Sequence, residues 1–412
     1  MTGANKNLYR ATKSFGIPTF SLEGDGSDMG IWDGQKFIIT VCQQIAYFAF
    51  SALFFSHLSK ITGDGFLGKW WNTLKIIWKY GYRSPSTTEA LVKQMISTFL
   101  TLYSTTHGWS SVAQLATMLN FTELTSIDTA NYLLNQGVGA PFIYEFVEAS
   151  TRVNYGQDID KIHALEGFVS MAAEGAVSTV GGNFQIFAGF LDHSNAKVHL
   201  NTTVTALQKD ETGWRLDVED TKVPSNFGTT KPFDAVIVAA PHQYTNISFP
   251  SSSAKVPLVP YVHLHVTLFT TTSPSANPAY FNLPEGSSVP AMILTSADGR
   301  RHGGREPDFN SMNYLQSVGS DKEEWVVKIF SKQRIEDAWL EGAFGKGKVG
   351  WILRHEVGVS NLPLAVVDKL AVGCLPRLTA YEEVSTNGTR RWSLLRQRSR
   401  KVRESFQLAL CR

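Results

Sequence analysis

From Val180 to Pro241 the chain runs VGGN into a helical pattern and then through three strand-like runs, KVHLNTTVTAL, GWRLDVE and FDAVIVAAP. Few folds use that order. Glycines at 181 and 182 let the backbone take positive φ and approach a ligand closely, and a helix starting behind them points free N–H groups and a positive dipole end at that ligand. The last run is apolar throughout, as a buried strand is, and stops at Pro241. This is the order of the second half of a dinucleotide-binding domain. It makes Gly181, Gly182 and Asn183 candidates to line a cofactor, Val204 to offer its backbone to an adenine edge, and Ala240 with Pro241 to form the cofactor wall.

Upstream, residues 5–15 read as an amphipathic helix through Leu8, Ala11 and Phe15, and GIWDGQKFIIT reads as a turn and a strand. Phe37 to Leu58 carries no Asp, Glu, Lys or Arg. That length would span a membrane, but Gln43 and Gln44 interrupt it, and its continuous apolar part, Ile45 to Phe55, suits a buried helix better. Gly68 to Tyr155 is helical in pattern. Trp71, Leu74 and Trp78 recur at helical spacing, a helix starts near Pro85 with Ser84 or Ser86 and Glu89 as caps, and further helices fit 111–119, 124–134 and 141–153. Their apolar side chains exceed a single stripe, so they pack on each other or line an apolar groove. From YVHLHVTLFTT through AYFNLP, AMILTS, FNSMNYL and EWVVKIFS the alternation is that of half-buried antiparallel strands, and RIEDAWLEGAF returns to helix. Beyond about Glu356 no period is sustained.

With 43% hydrophobic and 12% aromatic residues among 412, the chain can bury two sizeable cores. Its formal charge is +2. Arg390 to Arg412 holds eight Arg or Lys against one Glu, a local net of +7, so the remaining 389 residues carry −5. A basic tail on an acidic body gives no nucleic-acid signature. Cys42, Cys374 and Cys411 show neither metal-ligand spacing nor an even disulfide framework, and no metal is expected. His263 and His265 share a strand face but lack a third ligand. The literal G-x-G-x-x-G at Gly345, Gly347 and Gly350 follows a helix rather than a strand and reads as a loop. P-loop, H-E-x-x-H and G-x-S-x-G motifs do not occur. Acceptor sequons stand at Asn120, Asn201, Asn246 and Asn387, while the first residues lack the charge and apolar core of a signal peptide.

The segment TRVNYGQDIDKIHALEGFVSMAAEGAVSTVGGNFQIFAGFL, Thr151 to Leu191, with IWDGQKF and WWNTLKIIWKYG, resembles the prenylcysteine oxidase (prenylcysteine lyase) family within the flavin amine oxidase-like superfamily. The resemblance runs from about Asn5 to Glu356. It implies an α/β plus α+β protein: a partial FAD-binding, Rossmann-like domain from 1–40 and 176–245, interwoven with a mixed helical and antiparallel-sheet substrate domain from 64–175 and 246–356. Residues 41–63 are then an apolar insertion and 357–412 a divergent basic tail. The family's upstream βαβ unit with its glycine fingerprint, and its C-terminal flavin-closing element, have no match in the chain as written.

The resemblance also implies FAD as cofactor, a farnesyl- or geranylgeranyl-cysteine substrate, dioxygen as oxidant, and a lysosomal, vacuolar or secretory location. It places Asn154, Tyr155 and Gln157 on a substrate-side wall, whereas the residues alone fit equally a capped helix end with a buried tyrosine. No catalytic residue is singled out. An amine oxidase or desaturase of the same superfamily, and a non-catalytic lipid-binding body unable to hold FAD, remain as alternatives.

Overall fold

The computed structural model describes residues 4–21, 28–42, 76–104, 108–172, 176–220, 227–229, 232–240, 245–250, 261–318 and 323–360. In chain order these form α1 (Lys6–Ser14), β1 (Thr19–Ser21), β2 (Asp28–Trp32), β3 (Phe37–Cys42), α2 (Arg83–Leu100), α3 (Val112–Met118), α4 (Thr122–Ser126) and α5 (Thr129–Asn135). A π-helical stretch (Phe142–Val147) leads into α6 (Glu148–Tyr155), followed by α7 (Ala164–Met171), β4 (Val177–Thr179) and α8 (Phe184–Ser194). Then come β5 (Thr202–Asp210), β6 (Gly213–Asp220), β7 (Phe227–Thr229), β8 (Tyr261–Thr271), β9 (Met292–Thr295), α9 (Asp298–Arg301), β10 (Ser311–Val318), β11 (Glu324–Ser331), α10 (Asp337–Phe344) and β12 (Val349–Ser360).

The chain divides into two compact units. The first, residues 1–6, 21–177 and 260–377, carries a seven-stranded sheet in the order β12-β8-β11-β10-β9-β2-β3. Its pairs are antiparallel except β2 with β9, where Met29–Trp32 lie parallel to Met292–Thr295. Residues 28–42 thus belong to this sheet, whereas the expectation from sequence puts 1–40 with 176–245 and 41–63 in an insertion. The reason is visible in the side chains: Ile31 and Trp32 are buried, and Trp32 packs edge-on against Phe281 at 5.2 Å. One core cluster lies among the helices around Leu133, Phe142, Ile143 and Phe168, and a second around Phe269, Phe309, Ile329 and Phe344.

Helix starts follow local chemistry. Ser111 caps α3 by accepting from Gln114 N at 3.1 Å, and Asp128 caps α5 through Asn131 N at 2.8 Å. The helix expected over 124–134 is two helices, because Ile127 and Asp128 are extended; Asp128 then forms a short bridge with His163, which caps α7. That brings α5 onto α7 so closely that a Cβ on Gly167 would lie 2.2 Å from Thr129 Oγ1. Near Pro85 a helix does begin, at Arg83, but Ser84 is not its cap: Ser84 Oγ instead accepts from Gly139 N at 2.9 Å. Trp78, expected inside the apolar stripe, is 93% exposed, and Ile76 takes the buried place. Trp71 and Leu74 lie outside the described residues.

AYFNLP is a 3-10 turn, Pro278–Phe281, rather than a strand, since Asn277 accepts from Ala279 N and Pro278 presets the first turn. Sequence reading also missed the extent of β12, whose ladder with β8 continues to Ser360 opposite Tyr261. Of the stretch read as a possible membrane span, Phe37–Cys42 is strand β3 and the remainder lies outside the described residues; among those described, no helix is long and apolar enough to cross a membrane.

The second unit, which among the described residues takes in 7–20, 178–220, 227–229, 232–240 and 245–250, contains the three-stranded sheet β5-β6-β7. Val204, Leu207, Leu216 and Ile247 form its core. FDAVIVAAP, expected as a buried strand, is not one among the described residues. Val236 and Val238 still pack against the core and Ile237 points outward at 59% exposure, so the side chains alternate as in a strand. Phe233 makes a single antiparallel bridge with Trp214, but beyond it the segment has no backbone ladder among the described residues, and a strand is defined by its paired neighbour. KVHLN is likewise outside any strand, with Val198 and Leu200 exposed.

Candidate functional site

In the second unit, Gly181 and Gly182 have φ of 86° and 111°, which an L side chain rarely adopts. They form the turn between β4 and α8. Asn183 closes it from behind: its Oδ1 accepts from Thr179 N and from Thr179 Oγ1, both at 3.2 Å. Gln185 locks the other side, its Nε2 donating to Val180 O at 2.7 Å and Gly182 O at 3.1 Å. The result is a stiff glycine turn ahead of an 11-residue helix. Among the described residues the N–H groups of Gly181 and Asn183 have no hydrogen-bond acceptor, so the turn can present donors to the polar edge of a cofactor. Val204 is a core residue of β5, 6% exposed and opposite Val218, leaving only its backbone for an adenine edge. Ala240 is half-buried, and Pro241 lies outside the described residues.

In the first unit, Asn154, Tyr155 and Gln157 surround the C-terminal end of α6. Gly156, with φ of 67°, terminates the helix. Asn154 Nδ2 donates to Ser150 O and to Ser170 O, both at 3.0 Å, and Thr151 Oγ1 donates to Gln157 O at 2.9 Å. Tyr155 and Gln157 are buried, so this motif is a packed helix end whose side chains serve the interior of the unit.

Two side chains that sequence reading passed over dominate this region. Glu148 and Arg152 stand one turn apart on α6, both essentially unexposed. Arg152 Nη1 pairs with Asp158 at 2.5 Å and Glu306 at 3.0 Å, and its Nε donates to Thr295 Oγ1 at 2.9 Å. Arg300 and Lys332 join the same two carboxylates. Glu148 receives Arg301 from both guanidinium nitrogens, together with Ala297 N at 2.7 Å and Ile159 N at 3.1 Å. The signal was present, since an acid and a base in an otherwise apolar helical pattern need partners when buried. Only the fold shows that the partners come from β9, α9 and the 306–310 loop.

Burial raises the Asp158 carboxyl, but Arg152, Lys332 and Arg300 outweigh it and hold the group below the usual carboxylate range. Glu166 has no such cation and burial pushes it up to about 7, tempered by a hydrogen bond from Tyr155. Burial also pulls His163 down to about 4 and Lys328 to about 8.

These shifts set a pH profile. A carboxyl raised on folding from 4.5 contributes stability that is lost as pH rises from about 4.5 to about 7, and a histidine lowered from 6.5 contributes stability that is lost as pH falls from about 6.5 to about 4. In the window they share the two oppose each other. Glu166→Gln removes one, so the variant should gain stability relative to the parent as pH rises through that window. Urea midpoints measured from pH 4.5 to 8 that ran parallel for the two proteins would contradict it.

Among the described residues, one cleft of 210 Å³ lies beside Trp32, Tyr280 and Asp308, and another of 280 Å³ beside Phe37–Thr40 and Lys79. Both are lined in part by the IWDGQKF segment, and neither by a candidate cofactor- or substrate-side residue. In the first, Asp308 accepts from Tyr280 Oη at 2.7 Å and Trp339 Nε1 at 2.9 Å.

A model of the prenylcysteine lyase family matches residues 67–357, a span that contains both the α6 helix end and the glycine turn. The chain belongs to the prenylcysteine lyase family. Among prenylcysteine lyase relatives, farnesylcysteine lyase of Arabidopsis thaliana is 26% identical over 78% of this chain and 59% of its own length. Human prenylcysteine oxidase 1 is 27% identical over 60% of this chain and 46% of its own length, so the chain spans about half the length of these curated relatives. Among solved structures, putrescine oxidase bound to putrescine covers 86% of this chain and 72% of its own at 12% identity and a TM-score of 0.45. A fatty acid isomerase from P. acnes gives 87%, 72%, 9% and 0.47.

Proposed function

We propose that this member of the prenylcysteine lyase family is an FAD-dependent thioether oxidase that cleaves prenylcysteine to free cysteine, an isoprenoid aldehyde and hydrogen peroxide. The family match over residues 67–357 carries the reading, supported by relatives named for farnesylcysteine and prenylcysteine. FAD would supply the redox chemistry, taking a hydride from the carbon beside sulfur and passing the electrons to dioxygen, while water adds to that carbon and supplies the aldehyde oxygen as the C–S bond breaks and cysteine leaves as the thiol. Gly181, Gly182 and Asn183 would hold a polar edge of the cofactor through backbone N–H groups, and the φ of the two glycines keeps that edge free of side chains. The first unit would bind the prenyl chain. Burying a methylene is worth about 0.8 kcal/mol, so a fifteen-carbon tail supplies on the order of 10 kcal/mol before ordering costs.

Purified protein should be yellow with close to one flavin per chain, and should release peroxide with farnesylcysteine but not with putrescine. Colourless folded protein would favour a lipid-binding body, and peroxide from putrescine alone would favour an amine oxidase.

A secretory, lysosomal or vacuolar location is part of the same reading. Asn120 and Asn246, exposed and at φ of 56° and 53°, would carry sugar there. Protein made through a eukaryotic secretory route should then lose mass on endoglycosidase treatment.

A further inference from the structure

Around Gly156, three side chains that are at least nine-tenths buried leave four polar atoms without a hydrogen-bond partner among the described residues: Arg152 Nη2, Gln157 Oε1, Asn310 Nδ2 and Asn310 Oδ1. The three residues meet where the end of α6 approaches the start of β10. Gly156 N donates to Arg152 O at 3.1 Å, Gln157 follows it in the chain, and a Cβ at Gly156 would lie 3.3 Å from Asn310 Nδ2. Thr295 Oγ1 ties the group together, accepting from Arg152 Nε at 2.9 Å and donating to Asn310 O at 2.7 Å. Turning the Asn310 amide over only exchanges its two unpaired atoms, so no choice of flip satisfies it.

Each buried polar group left unpaired lowers the folded-to-unfolded ratio by roughly five- to a hundred-fold. Four such groups would consume most of a domain's margin. The chemistry of the set says what pairs them. Two atoms donate and two accept, so an anion or a cation would satisfy only half, and an apolar ligand none. Water donates two bonds and accepts two. The space beside Gly156 is tight, since its Cβ position lies 2.8 Å from Leu264 Cδ1 and 3.3 Å from Asn310 Nδ2.

We infer that Arg152, Gln157 and Asn310 form a binding site for internal water, one or two molecules, joining the end of α6 to the start of β10. A shift of the flexible Leu264 tip admits it. The site is independent of the reaction proposed above. It explains why the Asn310 side chain is buried beside the sheet without a direct partner among the described residues.

The test compares Asn310→Leu with Asn310→Ala in the full chain by urea unfolding, alongside a crystal structure of the parent protein that resolves buried solvent. With water present, Ala leaves room for another molecule to serve Arg152 and Gln157 and Leu does not, so Ala should be the more stable of the two. In a dry site the order reverses, because Leu removes the unpaired amide and fills its space, and that result would overturn the inference. Should both variants fail to fold, the parent structure decides: density bonded to at least two of the four atoms supports the site, and direct apolar contact at all four refutes it.

Discussion

Replacing Arg152 by Met should cost about 3–5 kcal/mol of stability, read as a fall in the urea midpoint. The side chain is wholly buried, and its guanidinium binds Asp158 and Glu306 while its Nε reaches Thr295 on β9. Two buried or half-buried carboxylates then depend on Arg300, 48% exposed, and Lys332, 37% exposed, which are screened by solvent and hold those acids less firmly. Arg152→Lys should fall between the two, since an ammonium keeps the charge but cannot fork between Asp158, Glu306 and Thr295. A loss below about 1 kcal/mol for Met would mean that the two outer cations suffice.

Glu148→Ala should be comparably damaging, by about 3–5 kcal/mol, for a different reason. Its carboxylate collects the Ala297 and Ile159 N–H groups as well as Arg301, so truncation strands two backbone donors besides the cation. Glu148→Gln keeps one acceptor oxygen but turns an NH2 toward existing donors, and should recover only part of the loss. Arg301 has an alternative in Asp160 at 3.7 Å. The direct Glu148–Arg301 pair predicts that Glu148→Ala combined with Arg301→Ala costs less than the two single changes added together, by an amount that Asp160 reduces, and a double-mutant cycle measures that coupling directly. Strict additivity would show that Arg301 contributes nothing through Glu148.

Much of the fold was legible because it rests on local signals. Ser111 and the 261–271, 292–295, 311–318 and 324–331 runs behave as caps and alternating strands do, since a cap or an alternation needs only neighbours in sequence. The failures share a cause. FDAVIVAAP has the composition and even the alternation of a strand, yet pairing is decided by a partner that its own residues cannot specify. Nothing local to the 28–42 hairpin says that Met29–Trp32 will lie beside Met292–Thr295.

The candidate site divides the same way. The turn at Gly181 and Gly182 is legible from sequence alone, because the backbone conformation that glycine permits is a property of the residue, and the two have φ of 86° and 111°. The family, too, was written in the order of its segments. Tertiary structure alone decided that Tyr155 and Gln157 face inward, that Glu148 and Arg152 organise the surrounding carboxylates and cations, and that Asn310 arrives beside Gly156 from far along the chain. A buried charge or amide is governed by what stands within a few ångströms of it, and those neighbours are set by the packing of distant elements.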